Sequence, residues 1–135
     1  MEANELMVGA FVYFNCFDGS KIIVRVTGFK DGIVYGNSEN GSHWCDIEKV
    51  EPISLTPEIL EKNGFRVIYE SELHITYFKY IQGFHVAVKV DKDGIFQKLS
   101  MNDGLGSGVT IVKCKFVHQL QHALRLCGIE KEIIL

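Results

Sequence analysis

Apolar and polar positions in this chain alternate with a period of two over most of its length, and they switch to a helical spacing in two places. In the first fifty residues the alternation comes in short runs. Residues 6–16 lead into Phe11-Val12-Tyr13-Phe14, residues 21–27 are rich in β-branched side chains, and shorter runs follow at 33–35, 44–47 and 50–52. β-Branched and aromatic side chains favour strands because they fit a pleated, half-buried surface. Asp18-Gly19, Asp31-Gly32 and Asn40-Gly41 separate the runs. Each pair suits a tight turn, since Gly accepts positive φ and Asp or Asn bonds its own backbone. Short strands at this spacing predict a small antiparallel β-barrel-like unit over residues 1–55.

The first helical signal spans residues 56–63. Thr56 is a suitable N-cap, and Pro57 at the first helical position gives up only an N–H that has no partner there. Leu55 and Leu60 are spaced as a hydrophobic staple, and Glu58 sits where the helix dipole favours an anion. Gly64 can take the left-handed conformation that ends a helix, returning Phe65 onto Leu60. A two-turn helix does not persist alone. Leu55, Leu60 and Phe65 are therefore expected to plug a structural seam between the two halves and make them one rigid body.

After this helix the period of two returns. Residues 65–70 and 73–81 read as strands. Phe84, Val86, Val88 and Val90 alternate with His85, Ala87 and Lys89, the cleanest half-buried strand in the chain. Asp93-Gly94 turns it into residues 95–99, and 109–113 follow after a loop. A second helix is predicted near 115–126, ended by Gly128, with residues 129–135 available as an edge strand. The fold class is α+β. An N-terminal small antiparallel β-barrel-like unit is joined by a short central helix to a C-terminal antiparallel sheet packed on one amphipathic helix, the second unit covering 56–135.

Composition narrows the function classes. The 135 residues include no run of about 18 apolar positions, so no transmembrane helix is expected. The start, Met-Glu-Ala-Asn-Glu-Leu, lacks the basic and then apolar pattern of an export signal, so a cytoplasmic setting is expected. Cys16, Cys45, Cys114 and Cys127 have no metal-type spacing and read as free thiols. Residues 1–65 carry five Lys/Arg and ten Asp/Glu, whereas 66–135 carry nine and seven, so an anionic partner would meet the second half.

Four clusters invite chemistry. Cys114, His118 and His122 recur every fourth residue on the second helix, and two His so spaced can share a metal. On a helical wheel Phe116, Leu120, Ala123, Leu124 and Cys127 mark the apolar side, with His118 and His122 nearly opposite, facing solvent or a partner. No fixed third ligand accompanies the pair, so no metal and no cofactor are expected. Residues 103–108, Asp-Gly-Leu-Gly-Ser-Gly, suggest a phosphate loop, but such loops open into a helix and β-branched residues follow here. A hairpin connection is the better reading. His43-Trp44-Cys45-Asp46 groups a nucleophile, an imidazole and a carboxylate, but alternation puts His43 and Cys45 on one face and Trp44 and Asp46 on the other. Trp44 is expected to plug the barrel. Finally, Phe78 and Tyr80 on one strand, with His85 and Lys89 on the next, would make an aromatic and basic sheet face of the kind that stacks single-stranded bases. The plainer expectation is that the N-terminal half covers those rings.

The segment Pro52-Ile53-Ser54-Leu55-Thr56-Pro57-Glu58-Ile59-Leu60-Glu61-Lys62-Asn63-Gly64-Phe65, with Val117-His118-Gln119-Leu120-Gln121, resembles a family of small uncharacterised proteins of Bacteroides-type gut bacteria and their prophages. The pieces at Gly9–Tyr13 and Trp44–Pro52 are similar to that family too. His122 stands where the family has Asn. The resemblance implies a cytoplasmic, prophage-associated setting and brings no activity. With no complete catalytic set, the sequence points away from an enzyme and towards a protein-binding accessory of a phage or mobile element. The alternative is a single-stranded nucleic-acid-binding accessory. No membrane partner is expected, and the residues fix no oligomeric state.

Overall fold

Turn chemistry sets the hairpins of the first unit. In the computed structural model, which describes residues 5–91, 96–105, 108–112 and 114–135 (backbone alone at 96, 97, 109, 111 and 112), Asp31 and Gly32 both have positive φ, 53° and 79°. That is the type I′ geometry whose twist matches the flanking strands. The chain divides into two compact units, Met1–Ile53 and Ser54–Leu135.

The first unit runs β1 (Phe11–Asn15), β2 (Lys21–Lys30), β3 (Ile33–Ser38), β4 (Gly41–Asp46), a 3-10 turn (Ile47–Lys49) and β5 (Val50–Pro52). The sheet is antiparallel, in the order β4-β3-β2-β1-β5. Alternation sends Val12, Phe14, Val24, Val26, Val34 and Val50 inward, where they form one core with Leu6 and Ala10. The expected barrel is not closed. β5 has three residues and pairs with Val12, Tyr13 and Phe14 of β1, which leaves the outer edge of β4 without a strand beside it among the described residues.

The second unit runs α1 (Pro57–Lys62), β6 (Arg66–Glu70), β7 (His74–Ile81), β8 (Phe84–Asp91), β9 (Phe96–Asn102), β10 (Gly108–Val112) and α2 (Val117–Leu126). Its strands form an antiparallel sheet in sequential order, β10-β9-β8-β7-β6. Tyr77, Ile81, Val86, Val88, Val90, Leu99 and Met101 are buried on one face. α2 buries Val117, Leu120, Ala123 and Leu124 and lies against β10. Leu124 lines one small cavity with Ile81 and Phe65.

Both ends of α1 follow local rules. Thr56 Oγ1 accepts the Ile59 N–H at 3.2 Å. Gly64, at φ 87°, donates to the Glu61 carbonyl, and Phe65 donates to that of Leu60, the two bonds of a Schellman ending. Leu55, Leu60 and Phe65 are all buried, and all three belong to the second unit. At the start of α2 the Gln119 side-chain oxygen accepts the backbone N–H groups of Lys115 and Phe116, at 2.7 and 3.0 Å.

Residues 129–135 form no strand, against the expectation of an added edge. Ile129 and Ile133 are buried, and the Asn63 side chain takes the backbone bonds that a strand would have supplied. The Asp93-Gly94 turn lies outside the described residues.

Candidate functional site

Cross-strand partners in an antiparallel sheet point to the same face, so register decides which side chains meet. In the second unit Tyr80 lies opposite His85, and Phe78 opposite Ala87. Thr76 lies opposite Lys89, and Lys89 in turn opposite Lys98. Phe78, Tyr80, His85 and Lys89 therefore share the face turned away from Tyr77, Val86 and Val88. The rings touch. The His85 ring centroid is 5.3 Å from that of Tyr80, edge-on, and 5.8 Å from that of Phe78.

This face is open. Tyr80 is 59 % exposed, His85 is exposed, and Phe78 and Lys89 are half-buried. Exposed aromatic rings beside cations form a surface on which bases stack and phosphates are neutralised.

Three residues join the face that the sequence did not single out. Arg66 lies opposite Phe78, and Tyr69, 61 % exposed, lies opposite Thr76. A register shift between Val67 and Tyr69 sets that pairing, and a bulge of this kind turns the following side chains over. Lys98 is exposed and faces Lys89 directly. Like charges in that position repel, and an anion between them would relieve the cost. Asp91, opposite His74, brings one negative charge to the far end of the same face.

The other candidate clusters fall apart or change character. His118 is 5 % exposed and stacks on the Phe116 ring at 5.7 Å and 12°, whereas His122 is exposed. The two do not share the solvent face predicted for them, since His118 is buried and His122 is not. Cys114 is fully buried, and burial pushes its thiol up to about 12. Among the described residues no group of three or more His, Cys, Asp or Glu side chains is placed to hold a metal ion. The stretch 103–108 connects antiparallel β9 to β10, and no helix follows it directly. Its Gly106 and Ser107 lie outside the described residues.

Trp44 does not plug a barrel. It is 68 % exposed, on the outer face opposite Tyr35. His43 and Cys45 do point together to the inner side, and His43 Nε2 shares a 2.6 Å hydrogen bond with Ser38 Oγ. Burial, with the adjacent Asp46 charge second, pushes the Cys45 thiol up to about 11. A thiol held neutral at physiological pH is not an activated nucleophile.

No helix among the described residues is long and apolar enough to cross a membrane. Comparison with protein-family models, curated proteins and solved structures finds no match to the chain.

Proposed function

We propose that the chain is a non-enzymatic binding protein, and that the open sheet face of its second unit takes single-stranded nucleic acid. The observation that carries this reading is the row of Tyr80, His85 and Phe78 rings next to the facing Lys89 and Lys98 on one uncovered surface. Stacking tolerates any base, and two facing cations accommodate a phosphate better than they accommodate each other. A duplex, whose bases are already stacked, offers such rings little. A protein-binding accessory role in a phage or other mobile element is the setting that fits the sequence resemblance.

Fluorescence anisotropy with a labelled fifteen-nucleotide oligo(dT) tests the reading. Binding is expected at low salt, weakening steeply between about 50 and 200 mM salt as counterions cease to favour release. Tyr80→Ala should lose about 1–3 kcal/mol of affinity, the worth of one stacked base. Equal binding by wild type and Tyr80→Ala, or no binding at low salt, removes the proposal.

A further inference from the structure

The unclosed edge of the first unit borders a second site, independent of the platform on the second unit. A cavity of about 370 Å³ lies there, with residues 42–46 of β4 along one wall and residues 14–17, at the end of β1, along the other. Successive side chains of a strand point to opposite faces, so five consecutive residues can line one cavity only if it lies along the strand's edge. The backbone N–H and C=O groups on that edge of β4 have no neighbouring strand among the described residues. On the far wall, β5 pairs with β1 only as far as Phe14, so Asn15, Cys16 and Phe17 run on beyond it. The cavity is thus a slot along the open edge of β4, bounded on the far side by residues 14–17 and by Ile22 of β2, and at about 3.3 Å per residue its β4 wall is roughly 15 Å long.

We propose that this slot takes an extended, basic peptide segment of another protein, added to β4 as a further strand. Strand addition draws its affinity from main-chain hydrogen bonds and its specificity from pockets beside them. Charge sets the class of peptide. Met1–Ile53 holds four Lys/Arg against eight Asp/Glu, and the charged side chains on the slot wall itself are Asp46 and Lys49. The mouth is aromatic, with Phe17 fully exposed and Trp44 68 % exposed. An ammonium group already uses this surface, since Lys49 Nζ stands 4.5 Å from the Phe17 ring centroid. Trp44, a stronger cation–π partner than Phe, offers a second such ring.

Trp44 is the only tryptophan in the chain, so its emission reports on the slot directly. The full chain is titrated with acetyl-(Lys-Val)3-Lys-amide and, separately, with acetyl-(Glu-Val)3-Glu-amide. The lysine peptide is expected to shift Trp44 emission and bind at least tenfold more tightly than the glutamate peptide. It should also slow amide hydrogen exchange in residues 42–46, a signature of strand addition that charge attraction alone does not give. Asp46→Lys, an exposed position, should weaken the lysine peptide about tenfold. Equal binding of the two peptides, or binding without protection of residues 42–46, overturns the proposal. So does lysine amide alone binding as tightly as the peptide, which would mark a small-cation site. A response to oligo(dT), or Trp44 emission that depends on protein concentration, would instead identify the occupant as nucleic acid or a second copy.

Discussion

The side chain of Asn63 pairs with the backbone of Ile134 in both directions. Its amide group donates to the Ile134 carbonyl at 2.7 Å, and its carbonyl oxygen accepts the Ile134 N–H at 2.7 Å. The same amide also donates to the Ile59 carbonyl at 2.7 Å. One buried carboxamide thus stands in for a neighbouring strand and fastens residues 129–135 to the end of α1. Asn63→Ala leaves the Ile134 N–H and C=O without this partner, while the Ile59 carbonyl keeps the Asn63 backbone N–H, and a group left unsatisfied costs about 1–3 kcal/mol. A destabilisation at the upper end of that range is expected in urea unfolding, with faster hydrogen exchange at Ile134. Asn63→Asp should recover little, because a carboxylate accepts from Ile134 but cannot donate to either carbonyl. Unchanged exchange at Ile134 in the alanine variant would show that the tail is held by Ile129 and Ile133 instead.

The ending of α1 gives a sharper backbone test. Gly64 sits at φ 87°, where a side chain is strained whatever the space around it. A Cβ there would meet Lys79 Nζ at 2.9 Å, but that is the far end of a flexible chain and can move. The conformational term therefore dominates, and Gly64→Ala should cost about 1–2 kcal/mol. Gly64→Asn should cost less, since Asn tolerates the left-handed region. Leu60→Ala, at a site with no exposure, should cost about 2–5 kcal/mol through lost burial and the cavity left behind. Chemical denaturation of the three variants gives the ranking directly.

These two cases mark what could be read from the sequence and what could not. The cap and Schellman ending of α1 are local, each set within ten residues of Leu55, and the sequence predicted them residue by residue. The Asn63–Ile134 pair joins residues 71 apart and leaves no trace in periodicity. The sheet face was half legible. Alternation placed Phe78 with Tyr80 and His85 with Lys89, whereas Lys98 and Tyr69 needed the strand order and the irregularity after Val67. Closure of the first sheet was misjudged for the same reason. The strand count was right, but the reach of a three-residue β5 is a matter of register. Trp44 followed that error, since a plug is needed only where a barrel closes.

The Cys45 thiol makes the first unit sensitive to alkali. Its ordinary value of 9.0 is raised in the folded state to about 11. Between those values the folded protein holds a proton that the unfolded chain has lost, so stability falls as pH rises across the window. Below about pH 9 the contribution is fully present. Urea unfolding followed by Trp44 fluorescence should show a midpoint that declines from pH 9 to 11. The decline should be shallower in Cys45→Ala, and parallel curves for the two proteins would count against the buried-thiol account.

Lys89 and Lys98 face each other across the β8–β9 ladder, and Phe78 lies one row away. If a single strand runs over this face, the two kinds of contact must respond differently to salt. A lysine that neutralises one phosphate contributes about 0.7 to the slope of log K against log salt for single strands. Lys98→Ala should therefore lower the slope by about that amount and weaken binding mainly at low salt. Phe78→Ala removes a stacking partner and no charge, so affinity should fall at every salt concentration with the slope unchanged. In the free protein the order reverses. Lys98→Ala relieves the repulsion across the ladder and should leave stability equal or slightly higher, while Phe78→Ala should lower it. A Lys98→Ala variant that binds with an unaltered slope would show that the phosphate path does not cross the lysine pair. The strand would then have to run over Tyr80 and His85 towards β6, where Arg66 lies opposite Phe78 and becomes the next cation to test.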